Sequence, residues 1–273
     1  NLALATDGVY VHHQGGEHVL ALDHRAGGAV RHVIELGAYT KLFVVERHHG
    51  SGLGTAGLEV TLGEHAELVH VRIVDGDGAH HGAIGVELAA GASYRLVSVV
   101  LGGGATRIEP TVRLAGRGAT AELYGLLALR GAEHADHHVT VDHAAPHCTS
   151  RQVFRSLLDG KSRGVFTGKV VVRPGAAGTD SSQVHRALLL SDDAVANARP
   201  QLEIDADDVK CAHGAAVGSL DPESLFYLQQ RGLDAAAARG LLTAAFAAEV
   251  IDAAPSGSVH DELRERVASW LAP

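Results

Sequence analysis

The sequence predicts a mainly β protein, a β-solenoid followed by a small α-helical domain. Three observations carry this. The segments "LGAYTKLFVV", "LGEHAELVHV", "LAAGASYRLV" and "LAGRGATAEL" begin at Leu36, Leu62, Leu88 and Leu114, a step of 26 residues each time. Each leucine closes a short run in which apolar and polar residues alternate, as in "LEVTL" and "PTVRL", the pattern of a half-buried strand. Helical periodicity is absent until about residue 220, where helix start signals begin to recur.

A 26-residue unit holding two or three strands cannot bury its apolar face alone, so units must stack and share a core. The small residues Ala66, Ala92 and Gly118 recur at one phase and read as corners between stacked strands. An antiparallel sandwich with similar turn spacing is the alternative; the constant phase of the leucines favours the solenoid. Beyond residue 142 the period loosens, but "GVFTGKVVV", "HRALLL" and "PQLEIDADDVKC" still read as strands, with Gly164, Gly168, Gly175 and Gly178 as turns. Strand character ends near residue 219.

The tail, residues 220–273, reads as helices. Asp221 is placed as an N-cap, Pro222 as the first helical residue and Gly232 as a C-terminal stop. Asp234 starts a second helix, with Leu241, Leu242, Ala245 and Phe246 on one stripe. Pro255, Ser256 and Gly257 separate a third, whose apolar residues include Val267, Trp270 and Leu271. Leu225, Phe226, Leu241 and Phe246 give the module apolar surface for packing on the solenoid. It is expected to protect the solenoid's open end, which otherwise offers bare strand edges.

Composition narrows the function. The 273 residues carry a formal net charge of −9, which speaks against a dedicated nucleic-acid binder. No apolar run approaches the roughly 20 residues of a membrane span, and no signal peptide is visible. Two cysteines, Cys148 and Cys211, make no disulfide framework and point to a reducing, cytoplasmic setting. The chain opens at Asn1 and contains no methionine, so an upstream part is expected to be missing. The 19 histidines include the pairs His12–His13, His48–His49, His80–His81 and His137–His138. Neighbours on a strand point to opposite faces and seldom share an ion; most are read as solvated turn residues.

Two groups of residues could carry chemistry. Glu203, Asp205 and Asp207 alternate along one strand, with Asp208 beside them. They could serve acid–base work in a carbohydrate-active solenoid, but a solvated strand face is the plainer reading, and aromatic residues for sugar stacking amount to only 4%. A purely structural solenoid is a further alternative. The second group is Cys211 and His213 in "KCAHGA". An interval of two places both on one strand face, and thiolate and imidazole both suit iron. Cys211 is either a ligand or a small packed hydrophobe, and Cys148 reads as structural. No phosphate-binding loop of the P-loop type is present, so any ATP use belongs to a partner.

The stretch from about Leu58 to Val250 resembles the SufB/SufD family, scaffold subunits of the SUF machinery for iron–sulfur cluster assembly. The likeness is densest from Asp142 to Gly232 and is carried by "PQLEIDADDVKCAHGA" and "LFYLQQRG". Gly214 after the histidine, and the scarcity of cysteines, resemble the SufD branch more than SufB. The resemblance implies a right-handed parallel β-helix, a C-terminal helical domain and an N-terminal helical domain absent from these residues. It implies a scaffold that is not an enzyme, pairing with a SufB-like subunit through the β-helix ends and binding a SufC-type ATPase through the C-terminal helices. It assigns His213 as an iron ligand and Cys211 as a candidate at a transient iron or iron–sulfur site at the partner interface. No tightly bound cofactor is expected in the isolated chain, which is expected to form a homodimer through the same surface.

Overall fold

The computed structural model describes residues 5–25 and 27–272. Among them, sixteen strands alternate between two eight-stranded parallel sheets. The first sheet holds β1 (Tyr10–His13), β3 (Gly28–Leu36), β5 (Leu53–Leu62), β7 (Ala79–Leu88), β9 (Ala105–Leu114), β11 (His134–His143), β13 (Arg163–Val172) and β15 (Val195–Ile204). The second holds β2 (Glu17–His24), β4 (Lys41–His48), β6 (Glu67–Val74), β8 (Ser93–Leu101), β10 (Thr120–Leu129), β12 (Thr149–Leu158), β14 (Asp180–Leu189) and β16 (Lys210–Gly218). The chain is thus a parallel β-solenoid of about eight coils, two strands to a coil.

The leucine repeat is the register of the first sheet. Leu36, Leu62, Leu88 and Leu114 pair in succession at the ends of β3, β5, β7 and β9, and all four are buried. Each such side chain stabilises by roughly 1.5–3 kcal/mol on leaving water. The column continues through His143, Val172 and Ile204. The steps become 29 (114 to 143), 29 (143 to 172) and 32 (172 to 204), and the residue changes, which is why the period loosens in sequence while the stacking persists.

The corners stack too. Successive backbone bonds link Thr40, Ala66, Ala92, Ala119, Cys148 and Thr179, each carbonyl accepting from the next coil, and all six are buried. Ala119, not Gly118, continues the column of Ala66 and Ala92. The corner after Leu114 has one extra residue, so Gly118 (φ +70°) falls in the neighbouring left-handed column with His65 and Gly91. Gly164 and Gly168 are not turns. Both lie inside β13, where a Cβ would sit 2.9 Å from Leu158 and 2.4 Å from Gln183 respectively, so close approach across the narrow interior requires them. Gly175 and Gly178 do occupy a corner, with positive φ.

Three helices follow: α1 (Pro222–Gln230), α2 (Ala235–Ile251) and α3 (Ser258–Leu271). Asp221 caps α1 by accepting from the Glu223 and Ser224 amides, and Asp234 caps α2 through Ala237. The helices do not cover the open end. Ala247, Val250, Ile251, Leu263 and Val267 pack on Val71, Val97, Val99, Leu126 and Leu157 of the second sheet's outer face. Those outward residues are apolar, an unpartnered hydrophobic face the alternation reading missed, and burying it outweighs covering the polar last coil. Arg47 bonds Glu262 at 3.0 Å, Arg155 pairs with Glu249, Arg266 with Asp75, and Arg130 lies 4.4 Å over Trp270. The expected stripe of α2 is corrected accordingly: Leu241 and Ala245 are exposed, and Ala238, Thr243, Ala247, Val250 and Ile251 are buried. Phe226 is 62% exposed rather than packed on the solenoid.

The histidines also depart from expectation. Four of the 19, His12, His65, His147 and His213, are exposed, whereas His32, His48, His70, His80, His137, His143 and His185 are buried. The adjacent pairs do split across a strand as alternation requires, and His48, His80 and His137 are the inward members.

Candidate functional site at the open end of the solenoid

The last coil exposes what earlier coils bury. Along the second sheet, Leu123, Gln152, Gln183 and His213 stand in one inward-facing column. The first three are buried and His213 is exposed, because β16 has β14 on one side and no further strand among the described residues on the other. Ala121, Ser150, Ser181 and Cys211 form the next column. The structure therefore brings Cys211 and His213 onto the same face of the terminal strand, with nothing stacked over them.

The hydrogen bonding of this edge follows from the parallel ladder. The Lys210 amide donates to the Thr179 carbonyl. In a parallel strand the amides of alternate residues point to opposite sides, so those of Cys211, His213 and Ala215 face the free edge. The first sheet differs. The Val195 and Asp205 amides donate inward, to Ser162 and Val172, which puts even-numbered positions of β15 at the free edge. Pro200 is one of them, and proline blunts an edge by removing a donor. β16 carries no proline and keeps its full row of donors and acceptors.

Cys211 is half-buried beside Val170, Val172 and Ala176. Burial, then the nearby Asp180 carboxylate, raises its thiol pKa, so a metal or a cation must draw the proton off before it can ligate. Cys148 is elsewhere, two coils inward in the corner column, where Sγ donates to the Gly116 carbonyl at 3.3 Å. It occupies a packing position, as expected. The acidic group is solvated: Glu203, Asp205, Asp207 and Asp208 are exposed, and Glu203 pairs with Lys169 at 2.8 Å. Only Glu203 lies in a strand, since β15 stops at Ile204, so strand alternation does not align the other carboxylates with it.

Residues 19–246 match the family described as SUF system FeS cluster assembly, SufBD core domain. The chain belongs to the SufB/SufD family. It is 36% identical to an iron–sulfur cluster assembly SufBD family protein of Synechocystis, over 77% of this chain and 47% of that protein. A SufBD family protein of Mycobacterium tuberculosis is 36% identical over 84% of this chain and 59% of its own length. The iron–sulfur cluster assembly protein SufD of Escherichia coli is 31% identical over 88% and 58%. The chain thus spans about half to three-fifths of the length of these three relatives. No helix among the described residues is long and apolar enough to cross a membrane.

Sequence reasoning missed a second chemically equipped region. Glu46, His24, His48, His70, Arg72 and His80 meet inside the first coils. The available signal was the phase of "FVVERHH": with Val44 inward, alternation turns Glu46 and His48 inward as well.

Proposed function

We propose that this SufB/SufD-family chain is a SufD-type scaffold subunit of iron–sulfur cluster assembly, working without catalysis of its own. The β16 edge receives a SufB-like subunit, and His213 supplies an imidazole to a transient iron or iron–sulfur site that the partner completes. Iron and cluster are cargo here. The observation that carries this reading is the inward-phase placement of half-buried Cys211 and exposed His213 on the last strand, β16, whose edge, unlike that of β15, carries no proline. Two soft or borderline ligands are too few to hold a cluster, and a site shared between chains makes up the number. Isolated from its partner, the chain would use the same edge to form a homodimer.

A SufC-type ATPase would dock on the C-terminal helices. In support, Phe226, Tyr227 and Leu241 remain exposed there, while the opposite faces of α2 and α3 are committed to the second sheet. The test of the site is a His213→Ala chain co-expressed anaerobically with its partner subunits. Complex assembly should persist and recovered iron and sulfide should fall sharply. Wild-type iron and sulfide in that variant would show that His213 is no ligand.

A further inference from the structure

Glu46 is wholly enclosed, yet it is an acid in the interior of a β-solenoid. Its neighbours follow from strand phase. On β4 the inward residues are Leu42, Val44, Glu46 and His48, and on β6 they are Leu68, His70, Arg72 and Val74. His24 on β2 stands in register with His48, and Glu46 with Arg72. On β4 and β6 the inward residues are therefore apolar at the start of the strand and ionisable further along it.

The two carboxylate oxygens do different work. Oε2 accepts from His70 Nε2 at 3.1 Å and lies 3.6 Å from Arg72 Nη1. Oε1 lies 2.7 Å from His48 Nε2 and 3.9 Å from His24 Nε2. The His24 and His48 rings stack at 4.5 Å, and one donor atom from each of His24, Glu46 and His48 falls within 4.8 Å of the others. Beside them is a cavity of about 30 Å³ that His24, His48 and His80 line, room for about one water or ion. Its remaining wall is largely glycine, including Gly50, Gly52, Gly76 and Gly78, so few side chains obstruct it.

A structural ion-pair network does not account for this set. Glu46 and Arg72 already balance one another in charge. Nε and Nη1 of the buried Arg72 have no acceptor, which leaves the cluster short of an oxygen ligand or anion.

We propose that His24, Glu46 and His48 bind a single first-row divalent transition metal, Fe²⁺ or Zn²⁺, inside the first coils of the solenoid, at a site separate from His213. Two imidazoles and one carboxylate are a donor set shared by ferrous and catalytic zinc centres, and they leave coordination positions open to water. Metal–ligand bonds of about 2.0–2.2 Å would place tetrahedral donors about 3.3 Å apart, between the 2.7 and 3.9 Å seen around Oε1. His70 and Arg72 orient the carboxylate from its other oxygen, as outer partners of metal ligands do. A metal-bound water or hydroxide would offer Arg72 its missing acceptor.

The test is anaerobic titration of the metal-stripped full chain with Fe²⁺, and separately with Co²⁺ as a spectroscopic probe in competition with Zn²⁺. One equivalent should bind, and the cobalt spectrum should lack thiolate charge transfer. His24→Ala and His48→Ala should each weaken binding about tenfold or more. His213→Ala and Cys211→Ser should leave it unchanged, which separates this site from the one at the open end. His24 is only half-buried, so its variant is expected to fold, and a melting curve checks it. X-ray absorption of the wild-type metal complex should show imidazole scattering, whatever the variants do. Failure to bind a stoichiometric metal, unchanged affinity in folded His24→Ala, a sulfur-to-cobalt band, or loss of binding in His213→Ala would each overturn the proposal.

Discussion

The middle of the solenoid and its last coil are built from the same inward columns and have opposite exposure. Gly125, Phe154, His185 and Ala215 stand in one column. Phe154 is buried between coils, with Phe166 at 4.8 Å and His137 at 5.2 Å, whereas Ala215 is exposed. Cys148 and Cys211 repeat the contrast, one buried in the corner column and one half-buried at the edge. Burial here is set by whether another coil follows, not by residue type. Middle coils are therefore constrained by packing, while β16 is free to carry residues whose use lies outside the chain.

The largest expected effect sharpens this contrast through packing. Phe154→Ala should lower unfolding free energy by about 3–5 kcal/mol, while Val217→Ala in the last coil should change it by about 0.5 kcal/mol or less. Urea denaturation measures both, and similar losses would break the comparison.

Acid should act through the middle next. Burial lowers the pKa of His137 to about 3 and of His185 to about 4. The unfolded chain, with histidines near ~6.5, takes up protons that the folded chain does not. Stability is then fully present above that value and is lost as pH falls toward 4. Going from pH 7 to pH 5 should cost on the order of 2–4 kcal/mol. A pH-independent urea midpoint over this window would contradict neutral, buried imidazoles.

The cysteines give a smaller contrast. Cys148→Ser places a hydroxyl in a dry corner and should cost about 1–2 kcal/mol, against about 0.5 kcal/mol or less for Cys211→Ser. Thermal melts of the two variants would expose equal costs. Smallest in the isolated chain is Ala215→Pro, which removes a free-edge amide and no ladder bond. Its melting temperature should stay close to wild type, yet association with the partner subunit should be lost in sedimentation. Intact association would remove β16 from the interface.

Much of this architecture is legible in sequence because each coil repeats under the same constraint. Leu36, Leu62, Leu88 and Leu114 are spaced by identical coil lengths, so the period states the register directly. Once corners gain residues the steps lengthen, and only alternation remains to mark strands such as β13. Gly164 and Gly168 were misread because a strand glycine that avoids Leu158 or Gln183 looks, in sequence, like a turn. The helices were found from their caps, Asp221 and Asp234, but not their docking face. Propensity says where a helix starts, whereas the outer face of the second sheet is assembled from Val71, Val97 and Leu126 across three coils. Cys211 and His213 were legible as a pair through their spacing. The Glu46 cluster was not, because its members come from four strands, β2, β4, β6 and β7, and no short motif joins them.

Hydrogen exchange on the amides of β16, with and without the SufB-like subunit, tests the central claim most directly. The Lys210 amide is held by Thr179 and those of Ala212 and Gly214 share its side of the strand, so all three should be protected in both states. The amides of Cys211, His213 and Ala215 face the free edge and should exchange quickly alone, then become protected in the complex. Protection that alternates with residue number in this way identifies β16 as the strand the partner completes. Fast exchange at Cys211, His213 and Ala215 in a fully formed complex would place the interface elsewhere and leave the Cys211–His213 pair unexplained.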